Sequence, residues 1–352
     1  AWCTGDPGLL YLDAIARSNP LPDLGPIEAT NPCGEVPLLP WESCVLGSVN
    51  LAHMVAITDG VADVDWDRLR HAVHTGVRFL DDVIEINRDP LPPIGEITRG
   101  NRKIGLGVMG LAECFVLLGL PYDSDEAIVW ADRLLAFIAE EALAASRQLA
   151  EERGVFPNWS RSLYAVRDQR VRNATRLSIA PTGTLSIIAG TSAGIEPLFA
   201  LAYRREHTLG GPPIVEFNPV FLRYMAERHL DTPAVLDAIA ASGSARLVEA
   251  LPPAVRRLFA TALEISPLQH LRLQHAVQHH VDNAVSKTIN LPEDADADAV
   301  AEAFREGWRL GLKGVTVYRS GSRAGQVITL GIGEELSARE LFAKCDPDAC
   351  RL

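Results

Sequence analysis

From Asp65 onward, Leu69, Val73, Val77, Leu80 and Ile84 fall three or four residues apart. That is the spacing of one face of an α-helix, and such a face has to be covered by other structure. A second long apolar-periodic helix opens at Asp123-Ser124-Asp125-Glu126, a capping sequence, and stops before Gly154. Leu9 to Arg17 reads as a short helix. Arg176-Leu177-Ser178-Ile179 and Gly314-Val315-Thr316-Val317-Tyr318 read as short strands, the latter after a helix over Asp298 to Leu312. Helices alternating with short strands predict an α/β fold. A Pro-rich stretch from Asn19 to Pro40 reads as a loop long enough to carry function. No internal repeat or low-complexity segment interrupts this pattern, and the polar stretch from Gly333 to Leu352 is expected to be a mobile tail.

At 352 residues and 47% hydrophobic content, the chain can bury a sizeable core. No apolar run approaches the ~20 residues of a membrane span, and Ala1 to Asp6 lack the order of a signal peptide, so no membrane partner and a cytoplasmic location are expected. A net charge of -12 argues against a nucleic-acid polymer as partner, which requires a clustered basic face. Six cysteines, Cys3, Cys33, Cys44, Cys114, Cys345 and Cys350, are too few and too scattered for a disulfide-stapled scaffold. Redox or nucleophilic thiols are the alternative.

Asn31-Pro32-Cys33-Gly34-Glu35 sets an amide, a thiol and a carboxylate at alternate positions of a turn stiffened by Pro32 and Gly34. Three different groups can then meet one substrate at small entropic cost. The plain alternative is a tight turn with an incidental cysteine. Pro181-Thr182-Gly183-Thr184-Leu185-Ser186 leads from a strand to a helix start, where backbone N–H groups and hydroxyls can nest a phosphate; an unliganded helix cap reads equally simply.

Cys345 and Cys350 place two thiols around Pro347 at the far end of the chain, where a shuttling dithiol could visit another site. Gly105-Leu106-Gly107-Val108-Met109-Gly110 matches a dinucleotide-binding pattern, but Arg99 to Lys103 before it are not a buried strand. Close helix packing at small residues is the reading preferred here. His275 and His279 stand one helical turn apart, with His280 beside them, a spacing open to a metal; without further ligands they read as a polar face, and no metal site is assigned.

Taken in order, these segments resemble the C-terminal half of a ribonucleotide reductase large subunit, most closely the adenosylcobalamin-dependent (class II) kind. The resemblance is carried by Ala29 to Cys44, Leu46 to Leu51, Arg102 to Gly110, Ala180 to Ser186 with Gly194 to Pro197, Ser286 to Leu291, and Lys313 to Arg319. It implies part of a ten-stranded α/β barrel over residues 1–332 and a redox tail over 333–352.

It further implies that Cys33 carries a thiyl radical at the tip of a finger loop, that Glu35 is the general base on the ribose 3′-hydroxyl, and that Asn31 holds the ribose hydroxyls. Cys44 is then one half of the reducing dithiol, re-reduced by Cys345 and Cys350, which are served by a thioredoxin- or glutaredoxin-type reductant. Pro181 to Ser186 bind the phosphates of a ribonucleoside diphosphate, and adenosylcobalamin is the implied cofactor. Iron- or manganese-dependent relatives pass the radical through two tandem tyrosines, whereas this strand reads Val317-Tyr318, with only one.

The second cysteine of the family's dithiol belongs to an N-terminal half, and Cys3 is not at a matching motif. A fragment, or one subunit of a split enzyme with a companion carrying that half, is expected. The alternatives are part of a class I large subunit, a non-catalytic partner subunit of a reductase, and a glycyl-radical relative, which the cysteine pair of the tail argues against.

Overall fold

The computed structural model describes residues 1–205, 214–322 and 329–330. The strands are β1 (Leu9–Leu10), β2 (Ala29–Thr30), β3 (Pro37–Leu38), β4 (Val45–Asn50), β5 (Val55–Thr58), β6 (Val61–Val64), β7 (Ile104–Met109), β8 (Ala202–Arg205), β9 (Ile214–Phe217), β10 (Thr288–Leu291), β11 (Gly314–Arg319) and β12 (Thr329–Leu330). The helices are α1 (Leu12–Arg17), α2 (Trp66–Ile86), α3 (Pro92–Asn101), α4 (Leu111–Leu118), α5 (Asp125–Arg153), α6 (Leu163–Val166), α7 (Gly183–Ala189), α8 (Pro219–Glu227), α9 (Pro233–Ser242), α10 (Pro253–Leu258), α11 (Pro267–Gln278) and α12 (Ala297–Arg309).

The functional frame is a run of parallel strands. β4 pairs with β7 over six residues, Val45 level with Ile104. Leu106 then bridges Leu177 and Ile179 bridges Val285, both parallel. Three residues after Val285 begins β10, which pairs parallel with β11, and β1 closes that edge antiparallel. Each parallel step is spanned by helices, as such connections require. The principal core lies between these strands and α2, α5 and α11, with Leu69, Val73, Val77, Leu80 and Ile84 all buried. A second cluster joins β10 and β11 to α12.

Four local expectations change. Arg176 to Ile179 form no continuous strand and join the sheet only through isolated bridges at Leu177 and Ile179. Leu9 and Leu10 leave the expected helix for β1, and α1 starts only at Leu12. The Asn19–Pro40 stretch contains a short antiparallel hairpin, β2–β3. Gly105 to Met109 are not a helix-packing surface but the buried strand β7, flanked by strands so close that side chains do not fit. A Cβ on Gly105 would meet Leu46 and Ser178 at 2.5 and 2.7 Å, and one on Gly107 would run into the Ser178 carbonyl oxygen. The glycines of this motif serve sheet packing.

Candidate active site on the finger hairpin

β2 and β3 pair Thr30 with Pro37, so Asn31 to Val36 close the hairpin. The turn is fixed from inside: the Gly34 N–H donates to the Asn31 carbonyl at 3.1 Å, the Val36 N–H to Asn31 Oδ1 at 3.0 Å, and Gly34 takes a φ of +82°. A glycine tolerates that backbone without strain. The tip is also fixed from outside, because the Glu35 carbonyl accepts the Ala284 N–H at 2.9 Å and the Ser178 hydroxyl at 2.8 Å. Both donors come from the parallel strand run.

Cys33 is exposed at the tip, its thiol pushed up by partial burial and then by the Glu35 charge. Glu35 is 2% exposed, and its Oε2 is buried without a hydrogen-bond partner. A buried carboxylate oxygen left unpaired is costly. Cys44, half-buried at the entry to β4, is pushed up to about 12 by burial, with Lys103 pulling down and Glu42 and Glu35 pushing up. Cys33, Glu35 and Cys44 therefore share one electrostatic neighbourhood.

The Pro181–Ser186 segment stands in a separate wall. Thr182 adopts a left-handed φ of +52°, unfavourable for a β-branched residue, and is held there because its hydroxyl oxygen accepts the Gly194 N–H at 2.8 Å. α7 follows, and the first N–H groups of a helix have no partner within it. Gly183, Thr184 and Ser186 line a cavity of about 1190 Å³, which Asn290, Thr316 and Tyr318 of β10 and β11 also line. Cys33 and Glu35 are not among its lining residues.

Charged residues not singled out in the sequence hold this wall. Glu113 on α4 accepts from the Ser192 N–H at 2.9 Å, the Thr191 hydroxyl and Asn218 Nδ2. Glu196 pairs with buried Lys287. Under Cys44, Glu42 and Lys103 form a buried pair at 2.6 Å. The available signal was a lysine placed directly before a strand, Lys103 before β7 and Lys287 before β10.

His275 and His279 are exposed, and His280 pairs with Asp132 at 2.8 Å; among the described residues no group of three potential ligands could hold a metal. Cys345 and Cys350 lie outside the described residues.

Residues 1–169 and 158–318 match the family described as "Ribonucleotide reductase, barrel domain". The chain belongs to this family. Among curated relatives, it is 53% identical to the vitamin B12-dependent ribonucleoside-diphosphate reductase of Mycobacterium tuberculosis (strain ATCC 25618 / H37Rv), over 98% of this chain and 48% of the relative. It is 46% identical to the enzyme of the same description from Thermoplasma acidophilum, over 97% of this chain and 44% of that one. The chain thus spans about half the length of the curated relatives it matches. A solved structure, the Actinobacillus ureae class Id ribonucleotide reductase alpha subunit, superposes with a TM-score of 0.75 at 26% identity, covering 90% of this chain and 59% of that one.

The parallel strand run agrees with membership of the barrel-domain family. No helix among the described residues is long and apolar enough to cross a membrane.

Proposed function

We propose that this chain is the catalytic part of an adenosylcobalamin-dependent ribonucleotide reductase that acts on ribonucleoside diphosphates in the cytoplasm. The observation that carries the reading is the pairing of an exposed Cys33 thiol with a buried, unpartnered Glu35 carboxylate oxygen on a hairpin tip anchored at both Ser178 and Ala284. A ribose 3′-hydroxyl would satisfy that oxygen and give up its proton to it.

Cys33, once oxidised to a thiyl radical, takes the 3′ hydrogen atom. Asn31 has committed its amide oxygen to the Val36 N–H, so its NH₂ group is the one left to hold a ribose hydroxyl. Cys44 and a partner thiol then give two electrons and two protons as the 2′-hydroxyl departs as water, leaving a disulfide. Pro181 to Ser186 hold the substrate phosphates with helix-start N–H groups and hydroxyls. The tail, 333–352, would return electrons through Cys345 and Cys350 from a thioredoxin- or glutaredoxin-type protein, and an N-terminal half or companion subunit would supply the partner thiol.

The residues present fit a bulky cofactor beside Cys33. Half-exposed Leu10 lies 3.6 Å from the Cβ position of Gly34, giving the finger tip an apolar neighbour against which a macrocycle can rest. When bound, adenosylcobalamin supplies by homolysis the radical that oxidises the thiol. The position after Tyr318 supports a local radical source: Arg319 stacks on Trp2 at 4.5 Å and donates to the Glu293 carbonyl at 2.8 Å.

The test is cytidine diphosphate reduction with adenosylcobalamin and a dithiol, using the chain alone and with an N-terminal half from a matching reductase. Cobalamin-dependent deoxynucleotide in the mixture supports the reading. Activity only with a metal-radical subunit would move the chain to class I.

A further inference from the structure

The buried Glu42–Lys103 pair has no part in the roles assigned above. Its place is specific: Val45 of β4 is level with Ile104 of β7, so extending the parallel register by one residue sets Cys44 beside Lys103. The Cys44 sulfur lies 3.4 Å from the Cβ position of Gly105, against the same end of β7. Lys103 Nζ is 2.6 Å from Glu42 Oε2 and 3.5 Å from the Pro37 carbonyl. Glu42 also accepts from the Leu39 N–H at 2.9 Å and from Asn101 Nδ2 at 2.6 Å. The carboxylate is thus held by three donors, the Lys103 ammonium among them. The charged groups acting on Cys44 are Lys103, Glu42 and Glu35, of which Lys103 alone is a cation.

We propose that this pair sets the reactivity of Cys44 in thiol–disulfide exchange: Lys103 stabilises the sulfur as a thiolate, and Glu42 partly offsets that stabilisation. In the step concerned, a dithiol's thiolate attacks the sulfur bonded to Cys44. A new S–S bond forms to the attacker, the old one breaks, and its electron pair leaves on Cys44 Sγ. That thiolate takes the proton of the dithiol's second thiol, whose sulfur attacks the reductant sulfur of the mixed disulfide; the bond to the partner sulfur breaks, the reductant's own disulfide closes, and the partner leaves as a thiolate that takes a proton from water. Lys103 and Glu42 are positioning residues in this scheme, acting through Cys44. The redox role rests on the proposed function; the control of ionisation does not.

The test is the rate of iodoacetamide alkylation of Cys44 in the folded chain from pH 7 to 10, read on the Cys44 peptide by mass spectrometry. Glu42→Gln should raise the rate at pH 8 at least tenfold, and Lys103→Met should lower it. A Glu42→Gln protein that folds and alkylates within twofold of the parent overturns the proposal. If Glu42→Gln does not fold, the doubly neutral Glu42→Gln/Lys103→Met decides: its alkylation rate at pH 10 must lie below the parent's, and coincident profiles overturn the idea. Wild-type turnover by Cys44→Ser in the completed enzyme would instead remove the redox role and leave the ion-pair result standing.

Discussion

Lys287 Nζ lies 2.7 Å from Glu196 Oε2, and the other oxygen of the same carboxylate accepts the Thr288 N–H at 2.6 Å. One carboxylate therefore ties the loop after α7 to the start of β10. Burial lowers the Lys287 pKa and Glu196 opposes that shift. Removing one partner of such a pair strands the other charge. Glu196→Ala should cost roughly 3–5 kcal/mol by urea denaturation, whereas the neutral Glu196→Gln/Lys287→Met pair should recover most of it.

Glu35→Gln separates catalysis from stability. It removes a buried, unpartnered charge, so the folded chain should be as stable as the parent or slightly more so. Deoxynucleotide formation by the completed enzyme should fall by about 100-fold or more. Thermal melting and turnover measured on the same preparation check both halves; undiminished turnover would dismiss Glu35 as the base.

His270 titrates far from its ordinary range. Burial and then the neighbouring Lys287 charge push it down to about 2, although its Nε2 meets the Ala262 carbonyl at 3.1 Å. The unfolded chain binds a proton near pH 6.5 and the folded one does not. Stability contributed by the neutral ring is thus complete above pH 6.5 and is lost as pH falls toward 2, at about 1.4 kcal/mol per pH unit. Urea midpoints between pH 7 and 5 should fall in the parent, and this component should vanish in His270→Gln.

Gly107→Ala should destabilise by about 3 kcal/mol, because the new methyl meets the Ser178 carbonyl of the neighbouring bridged segment. Gly119→Ala, where nothing lies within 4 Å but φ is +73°, should cost about 1 kcal/mol. Equal losses in equilibrium unfolding would refute the packing account of the strand glycines.

Local periodicity and turn chemistry were legible directly. The apolar stripe of α2, the Ser124 cap and Gly154 stop of α5, and the stiff Asn31–Glu35 turn each depend on residues a few positions apart, so the chain alone determined them. The glycines of β7 misled because their purpose is set by Ser178, a partner some seventy positions away. The same holds for the site: Glu35 is anchored by Ser178 and Ala284, Glu113 by Ser192, Lys103 by Glu42, and Lys287 by Glu196. Buried charges need partners, and which partner arrives is decided by how parallel strands line up across their helical connections. The sequence by itself determined most of the α/β elements and the stiff Asn31–Glu35 turn; only the tertiary structure decided which distant groups anchor that turn, bury Glu35 and set charges beside Cys44.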